Sequence, residues 1–391
     1  MENVILTNDE RLFFGLDPIG EDWERVEIKP EFVVYFDGDA IRKKISFRSE
    51  PDYVEYHESD MNIKTRERSV VLPQTARGKE KKLNFTSVSG VRPAGVSFSM
   101  NLRSKNYSLL YRSRVQAFNV RNNQKLPIAN VDKLDTIEEY RAWLKDFIAT
   151  SPADWFEKVG RMRNEKHKTI KYYNGDIFRF EFDRETYGFG LIIGQIRKMD
   201  KDGVIVKKHA LNSTMTVPLL VRCYLVQTRE KNMSISEISA YPLSDAKILS
   251  DNSVIWGTYD IVGNKALSED DIDFPLQIGV SIEYKNPYAR LCWGTGAVIK
   301  RKSDDMPEFI ENNKYLRHGV AFGVNTEMVL REILEHDSQP GRSESEETDR
   351  KTAFAWFGVP EDIGFDEFNK QYGGMTRAQY AEYANQTRRK D

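Results

Sequence analysis

Asn174-Gly175-Asp176-Ile177-Phe178-Arg179-Phe180-Glu181-Phe182 runs through Asp183-Arg184-Glu185-Thr186 into Tyr187-Gly188-Phe189-Gly190-Leu191-Ile192-Ile193-Gly194-Gln195-Ile196, and this stretch decides the fold. Phe178, Phe180 and Phe182 recur every second residue with Ile177, Arg179 and Glu181 between them, so the first arm reads as a half-buried strand. Four polar residues make the loop. The return arm puts Tyr187, Phe189, Leu191 and Ile193 on one face and Gly188, Gly190, Ile192 and Gly194 on the other. A face stripped of side chains lets another backbone or a curled sheet come close. Asn174 and Gly175 both tolerate positive φ and supply the turn that leads in.

Outward from this hairpin the chain has 391 residues, enough for two or three domains that each bury a core. Charged residues are 30% of the total but balance to a net charge of −2, so no global field draws the protein to nucleic acid or to a membrane. Met1 to Leu6 carries no basic leader, and no run reaches the roughly 18 apolar residues of a spanning helix, which implies a cytoplasmic protein without membrane contact. Cys223 and Cys292 both sit in apolar runs and read as buried free thiols.

Before the hairpin, Glu10 to Leu16 reads as a short helix capped by Asn8 or Asp9. Strand-like runs follow at Glu24 to Ile28, Phe32 to Phe36, Ile41 to Phe47, Tyr53 to Tyr56, Ile63 to Leu72, Leu83 to Val88, Val96 to Leu102 and Tyr107 to Val120, with a tight turn at Asp37-Gly38-Asp39. Ile137, Tyr140, Leu144, Phe147 and Ile148 then keep helical spacing. Trp155, Phe156 and Val159 give a second, short helix, and the hydrophilic run from Arg161 to Lys168 marks a domain boundary.

After the hairpin, strands are expected at Val204 to Lys207, Leu219 to Gln227, Val254 to Asp260, Gln277 to Tyr284 and Arg290 to Ile299, and a closing helix at Asn325 to Glu335. The polar range 337–350 reads as a flexible linker. Phe354, Trp356, Phe357, Phe365, Phe368, Tyr380 and Tyr383 are too apolar for a free tail, so 351–391 reads as a helical appendage that docks on the body or holds a partner. The expected fold is mainly β (α+β), with two antiparallel sheet or barrel-like domains over 1–160 and 161–336, each followed by helix.

The pattern Gly175-Asp176-Ile177-Phe178, then Tyr187-Gly188-Phe189-Gly190 and an aliphatic run, resembles the opening of the immunity protein 26 family of bacterial polymorphic-toxin systems. The resemblance covers roughly residues 171–300, about a third of the chain. It implies a protein that binds a cognate toxin and neutralises it by masking the active site, with no bond made or broken and no cofactor.

The residues alone offer little chemistry. His57, His167, His209, His318 and His336 are scattered, and neither Cys has a second Cys or a His at ligand spacing, so no metal is expected. Trp293-Gly294-Thr295-Gly296-Ala297 lacks the third Gly of a dinucleotide loop and the Lys-Ser/Thr of a P-loop, and reads as a strand that needs small side chains. Two acidic features fit partner binding: Glu269, Asp270, Asp271 and Asp273 around Ile272 and Phe274, and the hairpin's Glu181, Asp183 and Glu185. Carboxylates beside apolar anchors suit the masking of a basic cleft. The alternatives are a solvated loop beside a buried Phe, a nucleic-acid-binding module using Lys166 to Lys171 with Tyr172 and Tyr173, and a hydrolase whose site the sequence hides.

Overall fold

The computed structural model describes residues 5–73, 75, 77–104, 113–129, 131, 133–206, 209–213, 217–280, 288–302, 307 and 344–388. Among these it has 16 strands in antiparallel sheets and 10 helices, a mainly β, α+β architecture. Two compact units emerge: unit 1 holds 1–168 with Asp183–Glu185, and unit 2 holds 169–182 with 186–391. Unit 1 ends at Lys168, the last residue of the hydrophilic run, and α4 (Trp155–Asn164) extends into that run.

Unit 1 opens with α1 (Asn8–Phe13), capped by Thr7: its hydroxyl accepts from Glu10 N at 3.2 Å while the Glu10 carboxylate accepts from Thr7 N at 2.7 Å. This reciprocal box satisfies two free amides, which is why the cap lies one residue ahead of the expected Asn8. Strands β1 (Glu24–Lys29), β2 (Phe32–Asp37), β3 (Ala40–Glu50), β4 (Tyr53–Arg66), β5 (Val70–Val71), β6 (Lys81–Lys82), β7 (Val96–Arg103) and β8 (Arg114–Asn119) form one eight-stranded sheet. The runs expected at 53–56 and 63–72 join through β4, a single strand of 14 residues that pairs with both β3 and β7. Leu83 to Val88 was expected as strand, but Phe85–Ser89 is helix α2, closed by a capping box between Asn84 and Ser87. Residues 107–112 lie outside the described set.

One face of this sheet carries Val33, Ile45, Tyr56, Phe98, Met100 and Val115. Over it lie α1, α3 (Ile137–Ala149) and α4, which bring Phe14, Tyr140, Leu144, Phe147, Trp155 and Val159. Four ionised side chains share that buried face. Arg11 Nε donates to Glu58 Oε1 at 2.8 Å, and Lys43 Nζ lies 2.8 Å from Glu58 Oε1 and 2.7 Å from Asp60 Oδ1. Tyr56 Oη donates to Glu58, and Asp17 N donates to Asp60 Oδ2 at 3.1 Å. Two cations against two carboxylates leave the cluster neutral, the condition under which buried ions persist.

In unit 2, β9 (Asp176–Glu181) and β10 (Tyr187–Gln195) are the expected hairpin. They are central strands: with β11 (Pro218–Cys223), β12 (Lys247–Ser250) and β13 (Asp260–Asn264) the order is β12-β11-β10-β9-β13. Ile177 packs into one core and Phe178, Phe180 and Phe182 into another, so both faces of the first arm are covered except at the partly exposed Arg179 and Glu181. A second sheet, β14 (Gln277–Val280), β15 (Tyr288–Cys292) and β16 (Ile299–Lys302), splits the run expected as one strand at 290–299 into two. Between the strands lie α5 (Ile196–Lys201), α6 (Ile235–Ser239) and α7 (Asn252–Ile255). The strand expected at 254–260 is replaced by the end of α7 and a turn over 256–259, with β13 beginning at Asp260. No strand forms at 204–206, and the helix expected at 325–335 lies outside the described residues.

The C-terminal helices are α8 (Glu344–Phe357), α9 (Phe365–Gln371) and α10 (Arg377–Gln386). Helix starts at Glu344, so the expected linker range 337–350 is helical over its last seven residues. Phe354, Phe365, Phe368 and Tyr380 join Ile177, Phe189, Leu191 and Ile193 in one core. Residues 351–388 of the expected appendage dock on the body and supply a large share of that core.

Candidate functional site

The glycines of β10 have a defined use. Cross-strand register sets Gly188 opposite Phe180 and Gly190 opposite Phe178. A Cβ built on Gly190 would stand 2.2 Å from the Phe178 ring, and one on Gly188 would stand 2.6 Å from the Phe180 and Phe182 rings. Aromatic rings therefore lie across the space the missing side chains leave, an arrangement known to protect glycines in sheets. No hollow opens there. At Gly194, where β10 shifts register against β11, the visitor is Tyr380, whose hydroxyl donates to Ile193 O at 3.1 Å.

The turn into the hairpin is a second docking point. Gly175 takes φ +82°, with Lys265 O 2.2 Å from where a Cβ would be, so glycine is required twice over. Buried Asn174 donates to Thr387 Oγ1 at 2.7 Å, and Asn264 Nδ2 donates to Asp176 Oδ1 at 2.8 Å. Beyond it, Asn385 exchanges hydrogen bonds with both backbone groups of Leu267.

Gly294-Thr295-Gly296 is the loop between β15 and β16 rather than the interior of a strand. Asn369 Oδ1 accepts from Thr295 N at 3.1 Å, Thr295 Oγ1 accepts from Met375 N at 2.8 Å, and Tyr372 O accepts from Ala297 N at 2.8 Å. Small residues admit the α9–α10 connection at close range, so this loop clamps protein and not a nucleotide.

The acidic residues fall into distinct environments. Glu269 and Asp270 are exposed on a single 3-10 turn, Glu269–Asp271. Asp271 is buried: its carboxylate pairs with Lys265 Nζ at 2.8 Å and accepts from Ser268 N at 2.8 Å. Asp273 is partly exposed and accepts from Ala246 N at 2.7 Å. Phe274 is buried, stacked on Phe365 and edge-on to Tyr380 with ring centres 5.8 and 4.9 Å apart. Phe274 therefore anchors the C-terminal helices and is no surface contact. Beside the turn Arg222 donates to Asp270 O at 2.7 Å; burial lowers its pKa, while Asp273, Asp245 and Asp271 act in the opposite direction. Glu181 is partly exposed on β9 opposite Tyr187, and the loop residues Asp183 and Glu185 group with unit 1. The segment 269–274 thus gathers five of the eight expected contact residues, of which Glu269 and Asp270 are exposed.

Residues 173–285 match the family model for Immunity protein 26. The matched segment is under a third of the chain and holds the hairpin together with both acidic features. Neither the curated proteins nor the solved structures gave a match. The Immunity protein 26 segment ends before β15, so the clamp loop and all three C-terminal helices that close its core lie outside it.

Sequence reasoning missed one polar pair. His209 Nε2 lies 2.9 Å from Cys292 Sγ, both buried, and Cys223 and Cys292 are both free thiols. Burial pulls His209 down to about 4 and pushes Cys292 up to about 12. A thiol held neutral in this way is no nucleophile. Among the described residues no three His, Cys, Asp or Glu side chains gather to hold a metal, and no helix is long and apolar enough to cross a membrane.

Proposed function

We propose that this protein is a bacterial, cytoplasmic immunity protein that binds the effector domain of a cognate polymorphic toxin and neutralises it by covering the active site. The match of residues 173–285 to Immunity protein 26 carries this reading. Support comes also from the acidic turn, where exposed Glu269 and Asp270 stand on a base fixed by the Asp271–Lys265 pair and by buried Phe274. A rigid base holds the carboxylates in place before contact, which lowers the ordering cost of binding. Their field speeds encounter with a basic cleft.

The test is co-expression with the toxin encoded beside this gene, which rescues growth if the reading holds. The purified pair gives the finer result. Glu269→Lys with Asp270→Lys slows association severalfold in low salt and less in high salt, since exposed charges act through a screened field. Asp271 and Phe274 are left untouched, because changing either undermines the fold. Rescue with unaltered association keeps the immunity reading and moves the contact surface elsewhere; failure of rescue removes the reading itself.

A further inference from the structure

Unit 1 has a cleft that neither the family match nor the acidic turn involves. It lies at the end of β1, over the turn into β2, and is walled by residues of β3, β4 and α2, with a volume of about 190 Å³. That is below the roughly 300 Å³ at which pockets for larger ligands begin, and it suits a molecule the size of one amino acid. Phe32 and Phe85 meet edge to face, ring centres 5.0 Å apart, and form an apolar wall.

Charges of both signs line the same cleft. Lys29 Nζ lies 3.6 Å from the centre of the Phe85 ring, and no carboxylate of the described residues pairs with it. Glu31 likewise has no ion-pair partner among them. The other lining charges are already engaged: Arg48 with Glu50 at 3.2 Å, and Glu55 with Arg103. Glu31 is held at φ +65° by a hydrogen bond from Phe47 N to its carbonyl, 2.9 Å. That conformation is one that glycine or asparagine adopts more readily, and a long acidic side chain gains nothing from it structurally. His57, opposite Ser46 in the β3–β4 register, also faces the cleft, and burial lowers its pKa, so the ring is neutral at neutral pH and adds no charge.

An unpaired cation, an unpaired carboxylate and an aromatic wall around a residue-sized space define a zwitterion with an apolar side chain. We propose that this cleft binds a free α-amino acid of that kind: its carboxylate meets Lys29, its ammonium meets Glu31, and its side chain lies on Phe32 and Phe85. A peptide terminus offers only one of the two charges.

Titration calorimetry on the full chain tests this with phenylalanine, N-acetylphenylalanine and phenylalaninamide. Phenylalanine binds, and each blocked analogue binds at least about tenfold more weakly, since each leaves one charged hydrogen bond unmade. In Lys29→Met, phenylalanine and phenylalaninamide bind alike; in Glu31→Gln, phenylalanine and N-acetylphenylalanine do. Both positions are exposed, and circular dichroism confirms that the variants fold. No heat from phenylalanine or leucine at millimolar concentration overturns the proposal. So does equal binding of all three probes, or discrimination that survives both substitutions.

Discussion

Glu58 and Gly190 both stand on a central strand of an antiparallel sheet, and the two sheets solve burial in opposite ways. In unit 1 the strand is covered by helices that follow the sheet in sequence, α3 and α4, and the buried face holds four ions matched in sign. In unit 2 the strand is stripped to glycine, the rings of its neighbour fill the space, and the far face is closed by helices from the other end of the chain. The first core is specified by pairing and the second by shape. Pairing fails when one partner is lost, whereas shape fails when volume is added or a whole layer is removed.

The largest effect therefore comes from deleting residues 344–388. Phe354, Phe365, Phe368 and Tyr380 are buried in the unit 2 core, and each such side chain contributes about 1.5–3 kcal/mol. Their sum approaches the whole folding margin of about 5–15 kcal/mol. Amide exchange shows unit 2 unprotected and unit 1 intact. Protection retained across β9 and β10 after the deletion would mean that the Immunity protein 26 segment closes its own core.

Next in size is Lys43→Met. It keeps the length of the chain but leaves Glu58 and Asp60 with one cation between them, which costs about 3–5 kcal/mol in urea unfolding. Replacing Arg11, Lys43, Glu58 and Asp60 together by apolar residues of like volume costs little or stabilises by about 1–4 kcal/mol. If the single and the quadruple changes cost the same, pairing is not what holds this face. Gly190→Ala probes the other core and is smaller, about 1–3 kcal/mol, because the Phe178 ring yields part of the space a methyl needs. The loss is confined to unit 2.

How much of this was legible follows the range of the contacts. The hairpin at 174–196 was readable because a two-residue period and a polar loop are local. Leu83 to Val88 reads as a strand because six residues fit either period, and the deciding signal is the Asn84–Ser87 box, which is also local. Gly294-Thr295-Gly296 was beyond reach: its meaning lies in Asn369, 74 positions away. The acidic turn was located, yet which carboxylates face solvent depended on Lys265 and on helices that the sequence placed in an appendage. Lys43 and Glu58 alternate along their strands like solvent-facing charges, and their burial depends on Arg11 from α1 together with the cover of α3 and α4.

The smallest of the expected effects contrasts the two units by pH. Asp60 faces Lys43, Glu58 and the Asp17 backbone amide, with the Asp17 carboxylate paired to Arg163; burial outweighs Lys43 and raises its pKa to about 6. The folded state then binds this proton more tightly than the unfolded chain. Its stabilising effect is complete below about pH 4 and is lost as pH rises through 6. His209 faces Cys292, Arg290, Asp200 and the Gly294 carbonyl, and its Nδ1 accepts from Leu211 N at 3.2 Å, a bond that a protonated ring cannot accept. With its pKa lowered to about 4, its contribution is complete above about pH 6.5 and is lost as pH falls through 4. Between pH 6 and 4 unit 1 gains and unit 2 loses, each on the order of 1–2 kcal/mol. Exchange protection followed residue by residue across that window separates the two trends. Asp60→Asn flattens the first and His209→Gln the second. Parallel trends in both units would show that neither group governs the acid response.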